Sequence, residues 1–165
     1  MQDDLAELRD DQSVTGICTG CFDILQSGHA VFFQQCKEYV DRLFVVVGRD
    51  SVIGKLKGAG RPINPQNNRL YLVAALEAVD YAVLGDRKVR PGKIDCYNVV
   101  QALRPDKYIL NKDDGGLTEK RELCRSFGME LVTVPRVVPE FLTPTSTTEI
   151  VRKAAESRAK RKQNS

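Results

Sequence analysis

Five short apolar runs, Val14 to Thr19, Leu43 to Val47, Val79 to Leu84, Lys107 to Leu110 and Leu131 to Val134, constrain the fold of this chain more than any other feature. Each is too short for a helix and is bounded by glycine, proline or charge, as buried parallel strands are. Between them the apolar spacing changes. Phe32, Cys36 and Tyr39 recur at i, i+4 and i+7, as do Leu72, Leu76 and Val79, which places each set on one helical face. Further helices are predicted over Ile94 to Leu103 and Leu117 to Phe127, and a last one starts near Thr147. Parallel strands need crossover connections, so the alternation predicts an α/β fold with a mostly parallel five-stranded sheet.

The 165 residues, 42% hydrophobic and 28% charged, fit one compact domain with one active site. The acidic opening, Met1-Gln2-Asp3-Asp4-Leu5, lacks the basic-then-apolar pattern of a signal peptide. No apolar run approaches the roughly 18 residues of a membrane span, so a soluble cytoplasmic protein without a membrane partner is expected. Cysteines stand at 18, 21, 36, 96 and 124, an odd number with four inside predicted strands or helices, which argues against a secreted disulfide framework. Cys18-Thr19-Gly20-Cys21 matches C-x-x-C, yet a structural zinc needs four ligands, and the pair precedes the helix by several residues instead of opening it. Reduced thiols are the simpler expectation. The net charge of +3 gathers at the end, where Arg152, Lys153, Arg158, Lys160, Arg161 and Lys162 face only Glu149 and Glu156. A solvated helix end complementing its dipole accounts for them, with nucleic-acid binding the weaker alternative.

Ligands of open α/β sheets bind beyond the carboxyl ends of the strands, and the first predicted strand ends at Thr19-Gly20. In the loop that follows, Ser27 is expected to cap the next helix and Gly28 to let backbone N–H groups approach an anion. His29, the only histidine, then falls in the first helical turn, where it can donate to a phosphate oxygen. A long connection from Gly48 to Pro65 carries Gly54, Gly58, Gly60 and Pro62 together with Lys55, Lys57 and Arg61. Loops of that length are usually functional or mobile, and these cations suit closure over phosphates. Ser146-x-x-Glu149 reads as a capping box, and a helix start that needs a cap can also receive a phosphate.

Gly20-Cys21-Phe22-Asp23 followed by Ser27-Gly28-His29 resembles the G-x-F-D-x-x-H-x-G-H signature of the cytidylyltransferase-like nucleotidyltransferases. Leu56-Lys57-Gly58-Ala59-Gly60-Arg61-Pro62-Ile63-Asn64-Pro65, then Arg69 and Ala74 to Tyr81, is similar to the adenylyltransferase domain of bacterial ADP-heptose synthases, which act on heptose 1-phosphate. Ser146-Thr147-Thr148-Glu149-Ile150 resembles the S-T-T-x-I element near the end of these domains. On this likeness the chain divides into an N-terminal extension over 1–13, a nucleotidyltransferase domain over 14–153 and a basic helix end or tail over 154–165.

The resemblance implies a Rossmann-like three-layer fold, a homodimer, and magnesium carried in with the nucleotide. It implies that His29 and Lys57 stabilise the triphosphate as pyrophosphate leaves, with Gln26 at the position of the motif's first histidine. Thr19, Gly20, Cys21, Phe22, Asp23, Gly28, Lys55, Arg69, Ser146, Thr147 and Thr148 would join His29 and Lys57 in holding the nucleotide. Asp23, Asn111 and Lys112 would meet the acceptor, and Lys55 with Lys57 is similar to the K-x-K of the glycerol-phosphate branch.

Attack by an acceptor phosphate on the α-phosphorus concentrates negative charge, so alignment and electrostatic stabilisation suffice without a covalent nucleophile. Three departures from the pattern matter. Gln26 donates through its amide but cannot carry the charge available to histidine. The stretch before Ser146 lacks the family's basic residue, which leaves Arg136 as the nearest candidate cation, and Asn111-Lys112-Asp113-Asp114-Gly115-Gly116 replaces the K-G-G-D-Y-like stretch of the heptose enzymes. The expected activity is adenylyl transfer from ATP to a sugar 1-phosphate. The alternatives are cytidylyl transfer from CTP to glycerol 3-phosphate or another phospho-alcohol, and nucleotide binding without turnover.

Overall fold

A computed structural model describes residues 3–9 and 12–163. Its five strands are β1 (Thr15–Gly20), β2 (Arg42–Val47), β3 (Tyr81–Leu84), β4 (Lys107–Asn111) and β5 (Glu130–Val134). They form one sheet in the order β3-β2-β1-β4-β5, and every neighbouring pair is parallel. The chain winds outward from β1 to β3 and then returns to the other side of β1 for β4 and β5. Right-handed crossovers therefore send the loops after β1 and β4 away from each other, opening a crevice between them.

Helices α1 (Asp3–Glu7), α2 (Ser27–Lys37), α3 (Asp50–Lys57), α4 (Gln66–Ala74), α5 (Tyr97–Leu103), α6 (Leu117–Phe127) and α7 (Thr147–Gln163) complete the described residues. Side chains alternate between the faces of a strand, and both faces are apolar here. Leu43, Val45 and Val47 of β2 pack with Phe32, Phe33 and Cys36 of α2 and Val73 of α4. Phe44 and Val46 turn the other way, onto Val99, Val100 and Leu103 of α5 and Leu123 and Cys124 of α6. Two cores sandwich one sheet, which makes the parallel α/β sheet that the alternation predicts and the three-layer Rossmann-like fold that the resemblance implies. Phe33 and Phe44 are fully buried; truncating such a side chain to alanine costs about 3–5 kcal/mol.

Several element boundaries differ from expectation. The connection from Gly48 to Pro65 is not a loop throughout, because Asp50–Lys57 forms α3 and buries the Val52 and Ile53 edge of that helix. Burial of that edge outweighs the roughly 1 kcal/mol that Gly54 costs a helix. Helix α4 stops at Ala74, so Leu76 and Val79 reach the core from the turn into β3 rather than from a helical face. Tyr39 likewise lies beyond the end of α2. Helix α5 begins at Tyr97 and not at Ile94, because Pro91–Lys93 forms a 3-10 turn and Ile94 bridges back to Arg90.

All five cysteines are free; Cys18 and Cys36 lie in one core and Cys96 and Cys124 in the other. No helix among the described residues is long and apolar enough to cross a membrane. In the N-terminal extension, Leu5 and Leu8 pack against the α5–α6 core. Met1, Gln2, Asp10, Asp11, Asn164 and Ser165, and the side chains of Lys160, Arg161 and Lys162 in the basic tail, lie outside the described residues.

Candidate active site

The carboxyl end of β1 turns sharply. A Cβ on Gly20 would stand 2.6 Å from Cζ of Phe22, so only glycine admits the ring. Phe22 itself takes a left-handed backbone, with φ 48°, a conformation that costs a non-glycine residue about 1–3 kcal/mol. Its ring holds it there, packed edge-on against Phe33 at 5.1 Å and His29 at 5.4 Å between centroids.

Ser27 is not the cap of α2, as its side chain suggests, but the first helical residue. The cap is Gln26, whose extended backbone lets Oε1 accept from the Gly28 N–H at 2.6 Å. Glutamine does here what serine or aspartate usually does, accepting from the second N–H of the helix. The Gln26 N–H in turn donates to Nδ1 of His29 at 3.2 Å. That bond places the imidazole proton on Nε2. Burial, then the positive charges of Arg136 and Lys57, push the His29 pKa down to about 4. At neutral pH His29 is an uncharged Nε2–H donor.

Asp23 follows the turn and is 2% exposed. Its Oδ1 accepts from the N–H groups of Ile63 and Asn64 at 2.7 and 2.8 Å, and its Oδ2 lies 2.8 Å from Nη2 of Arg61. The carboxylate thus fastens the segment before α4 to the β1 loop. Arg69, expected on the nucleotide, is fully buried and does not reach the cleft. Its guanidinium donates to the carbonyls of Cys21, Gly48 (2.7 Å) and Asn64 (2.8 Å) and to Oδ1 of Asp50 (2.8 Å). Five fixed donors in a plane suit this task, which ties the ends of β1 and β2 to α4.

Above these elements lies a cleft of about 300 Å³. Thr19 and Gly20 line it from the end of β1, Cys21, Phe22 and Asp23 from the loop that follows, and Gln26, Gly28, His29, Phe32 and Gln35 from α2 and its cap. Lys57 enters from the end of α3, Asn111 and Asp114 from the end of β4, and Thr147 from the start of α7. Arg136, Val137, Val138 and Thr145 enter from the stretch between β5 and α7. Lys55, Lys112, Ser146 and Thr148, named from sequence, do not line it. Ser146 instead accepts from the Glu149 N–H at 3.2 Å, capping α7, and Thr147 donates to the Ile24 carbonyl at 3.4 Å. Asp114, Thr145, Val137 and Val138 were not among the expected site residues. Thr145 adjoins the S-T-T element, but only the path of the chain after β5 brings the two valines over the cleft.

The lining suits an anionic ligand: an exposed helix start, a neutral imidazole N–H, hydroxyls, a lysine and an arginine. Asp114 is neutralised by Lys120, whose Nζ lies 2.8 Å from both carboxylate oxygens. Thr19 is fixed through its Oγ1, 2.8 Å from the buried Tyr108 hydroxyl.

Known proteins resemble this chain in sequence and fold. A cytidylyltransferase-like family model matches residues 17–153. The chain is 40% identical over 132 residues to the bifunctional protein HldE of a Nitratiruptor species, covering 80% of this chain and 26% of that protein. It therefore spans about a quarter of the length of that relative. It is 38% identical over 122 residues to the FAD synthase of Methanosphaerula palustris, covering 72% of this chain and 73% of that one. The solved lipopolysaccharide core biosynthesis protein from Thermoplasma volcanium superposes with a TM-score of 0.66 at 29% identity, covering 76% of this chain and 99% of that chain. At 15% identity and a TM-score of 0.60, the pantoate-beta-alanine ligase of Francisella tularensis shares the fold alone. Family match and fold agree along nearly the whole length, and on them the chain belongs to the cytidylyltransferase-like family and is a nucleotidyltransferase.

Proposed function

We propose that the chain transfers the adenylyl group of ATP to the phosphate of a sugar 1-phosphate such as heptose 1-phosphate, releasing pyrophosphate. The observation that carries this reading is the convergence of the α2 start, the Nε2–H of His29 and Lys57 on one cleft at the crevice beside β1. An acceptor phosphate oxygen bonds to the α-phosphorus as the bond to the pyrophosphate oxygen breaks, and the electron pair leaves with pyrophosphate. His29 and Lys57 meet the growing charge without exchanging a proton. Gln26 orients His29 and caps the helix, while Thr19, Gly20, Cys21, Phe22, Gly28 and Thr147 shape the nucleotide's seat. Asp23 and Asn111 stand on the acceptor side. Similarity to both HldE and FAD synthase favours ATP as donor, since the product named in the latter contains an adenylyl unit.

Magnesium fits this site as a passenger on the triphosphate. No group of three histidine, cysteine or acidic side chains among the described residues forms a cage for it. When bound it would neutralise phosphate charge. The catalytic unit in this reading is 14–153, with 1–13 and 154–165 as appendages. Free thiols at all five cysteines, four of them buried, favour a reducing cytoplasm. Exposed Tyr71 and Leu72 on α4 favour a homodimer.

A second acceptor, a flavin phosphate, is favoured by the match to FAD synthase, which extends over 73% of that protein. One panel separates the readings: ATP, CTP, GTP and UTP with magnesium, each against heptose 1-phosphate, glycerol 3-phosphate and flavin mononucleotide, followed by pyrophosphate release. The expected result is release with ATP and the sugar phosphate. Release with CTP and glycerol 3-phosphate alone would overturn the adenylyl assignment. A nucleotide-induced rise in melting temperature without release by any pair would favour binding without turnover.

A further inference from the structure

Asp23 lines the cleft, yet both of its oxygens meet the segment before α4. Oδ1 accepts from the N–H groups of Ile63 and Asn64 at 2.7 and 2.8 Å, two aligned hydrogen bonds. Oδ2 stands 2.8 Å from Nη2 of Arg61, which meets it as a charge rather than along a hydrogen bond. Only 1% of the Asp23 side chain and 20% of Arg61 is open, so water screens this pair little. Arg61 itself does not line the cleft. Whatever it does for the site, it does through other residues.

The segment leads back to Lys57. That lysine ends α3, a helix held to the body by Val52 and Ile53 near its start. From Lys55 to Gly60 every residue is exposed. Gly58 and Gly60 take φ of 88° and 79°, with open space where a Cβ would stand, so packing does not fix this stretch. Support comes from the far side of the loop. The Arg61 carbonyl stands 3.4 Å from where a Cβ on Gly54 would lie, which rests the backbone at Arg61 against α3 about one turn before Lys57. Its N–H reaches the Gly58 carbonyl at 3.4 Å. Asn64, at the end of the segment, is gripped from two sides, its N–H by Asp23 and its carbonyl by Arg69. Contact therefore runs without a break from Asp23 through Arg61 and Gly54 to the turn that carries Lys57.

We propose that Arg61, paired with Asp23, is a positioning residue for Lys57: the ion pair seats the Arg61 backbone against Gly54 and so sets where the end of α3 delivers the lysine. The inference rests on the reading that Lys57 meets a triphosphate in this cleft. A misplacement of about 1 Å in a group that meets reacting atoms costs about 100-fold in rate, which is the error this support prevents. Because Arg61 acts through Lys57, its effect on turnover disappears once the lysine is gone.

The test is a double-mutant cycle on the full chain, with Arg61→Met, Lys57→Met and both together, read as kcat and KM for pyrophosphate release. Arg61→Met is expected to lower kcat/KM by about 10- to 100-fold, mostly through kcat. In the Lys57→Met background the same change should shift kcat/KM by no more than about twofold. Equal factors in the two backgrounds, or an Arg61→Met rate within about twofold of the parent, would overturn the proposal. A loss of stability alone does not produce this pattern, since it acts in both backgrounds. Should Arg61→Met fail to fold, Asp23→Asn carries the same cycle, because it removes the charge facing Arg61 and keeps an oxygen for the two N–H groups. If the parent shows no turnover, the proposed function fails, and the cycle is read as ATP affinity from the shift in melting temperature. Coupled losses there still support the link from Arg61 to Lys57, whereas additive losses, or no shift with ATP at all, reject it.

Discussion

The main-chain N–H of Gln26 donates to Nδ1 of His29 across one helical turn, at 3.2 Å, and so decides which imidazole nitrogen faces the cleft. The same residue caps the helix through its side chain. Backbone sets the tautomer and side chain closes the helix end, so substitution at position 26 leaves the first of these contacts in place.

His29 is expected to titrate near 4 in the free protein, well below the 6.5 of an ordinary histidine. Its folded pKa lies below its unfolded value, so protonation favours the unfolded chain. The stability it contributes is present above about pH 6.5 and is lost as the pH falls toward 4. Imidazole resonances followed by NMR should show one transition near pH 4; a midpoint at 6 or above would mean that the ring is neither buried nor beside Arg136 and Lys57. His29→Asn should flatten the acid limb of the stability profile and lower turnover by about 100- to 1,000-fold.

Lys57 is exposed and has no ion-pair partner among the described residues, although it lines the cleft. Lys57→Met should therefore lower kcat/KM by about 100-fold while changing the unfolding free energy by less than about 0.5 kcal/mol. Denaturant titration beside steady-state kinetics separates the two effects, and a parallel loss of stability would assign Lys57 to the fold.

Arg69 predicts the opposite balance. Removing its guanidinium leaves the carbonyls of Cys21, Gly48 and Asn64 without their donors and Asp50 without its partner. Arg69→Met should cost about 3–5 kcal/mol of stability, seen as a large fall in denaturation midpoint. Arg69→Lys should recover only part of that, because an ammonium cannot span the fork. Full stability in Arg69→Met would show that the four contacts are dispensable.

Asp95 is 9% exposed at the carboxyl edge of β2 and β3, beside Gly48 and Gly85, and burial, with the nearby Asp86 charge opposing it, raises its pKa to about 6. A carboxyl with a raised folded pKa costs stability once it ionises. The penalty is absent below about pH 3.8 and complete above about pH 6. Asp95→Asn is expected to raise the melting temperature at about pH 7.5, with the gain shrinking to nothing near pH 4. A lower melting temperature at both pH values would mean that the ionised carboxylate is held by its surroundings.

The strands were legible because each is a short run rich in apolar and β-branched residues, the run in β2 alone being apolar throughout and wholly buried. Periodicity placed α6 well, since its apolar face meets the sheet at helical spacing. It failed at α3, where Gly54 and two lysines masked a helix held by Val52 and Ile53, and at α4, where apolar residues of the following turn continued the helical spacing by coincidence. That residues of the loop from Gly20 to His29 would line a cleft at the end of the first strand was legible from its glycines and its lone histidine. That Gln26 would cap α2 was not, since glutamine is an uncommon cap and its reach depends on the extended backbone at that residue.

Local sequence thus determined the five strands, most of the helices between them and which loop ends the first strand, because hydrophobic periodicity acts over a few residues. The partners of the charged side chains were decided by tertiary structure alone. Arg69 and Arg136 look equivalent in the sequence, yet one is locked under the loop by three carbonyls and an aspartate, while the other is held at the rim by Asp113. Their surroundings come from strand order and register, which bring together residues 48 and 23 positions apart in the chain.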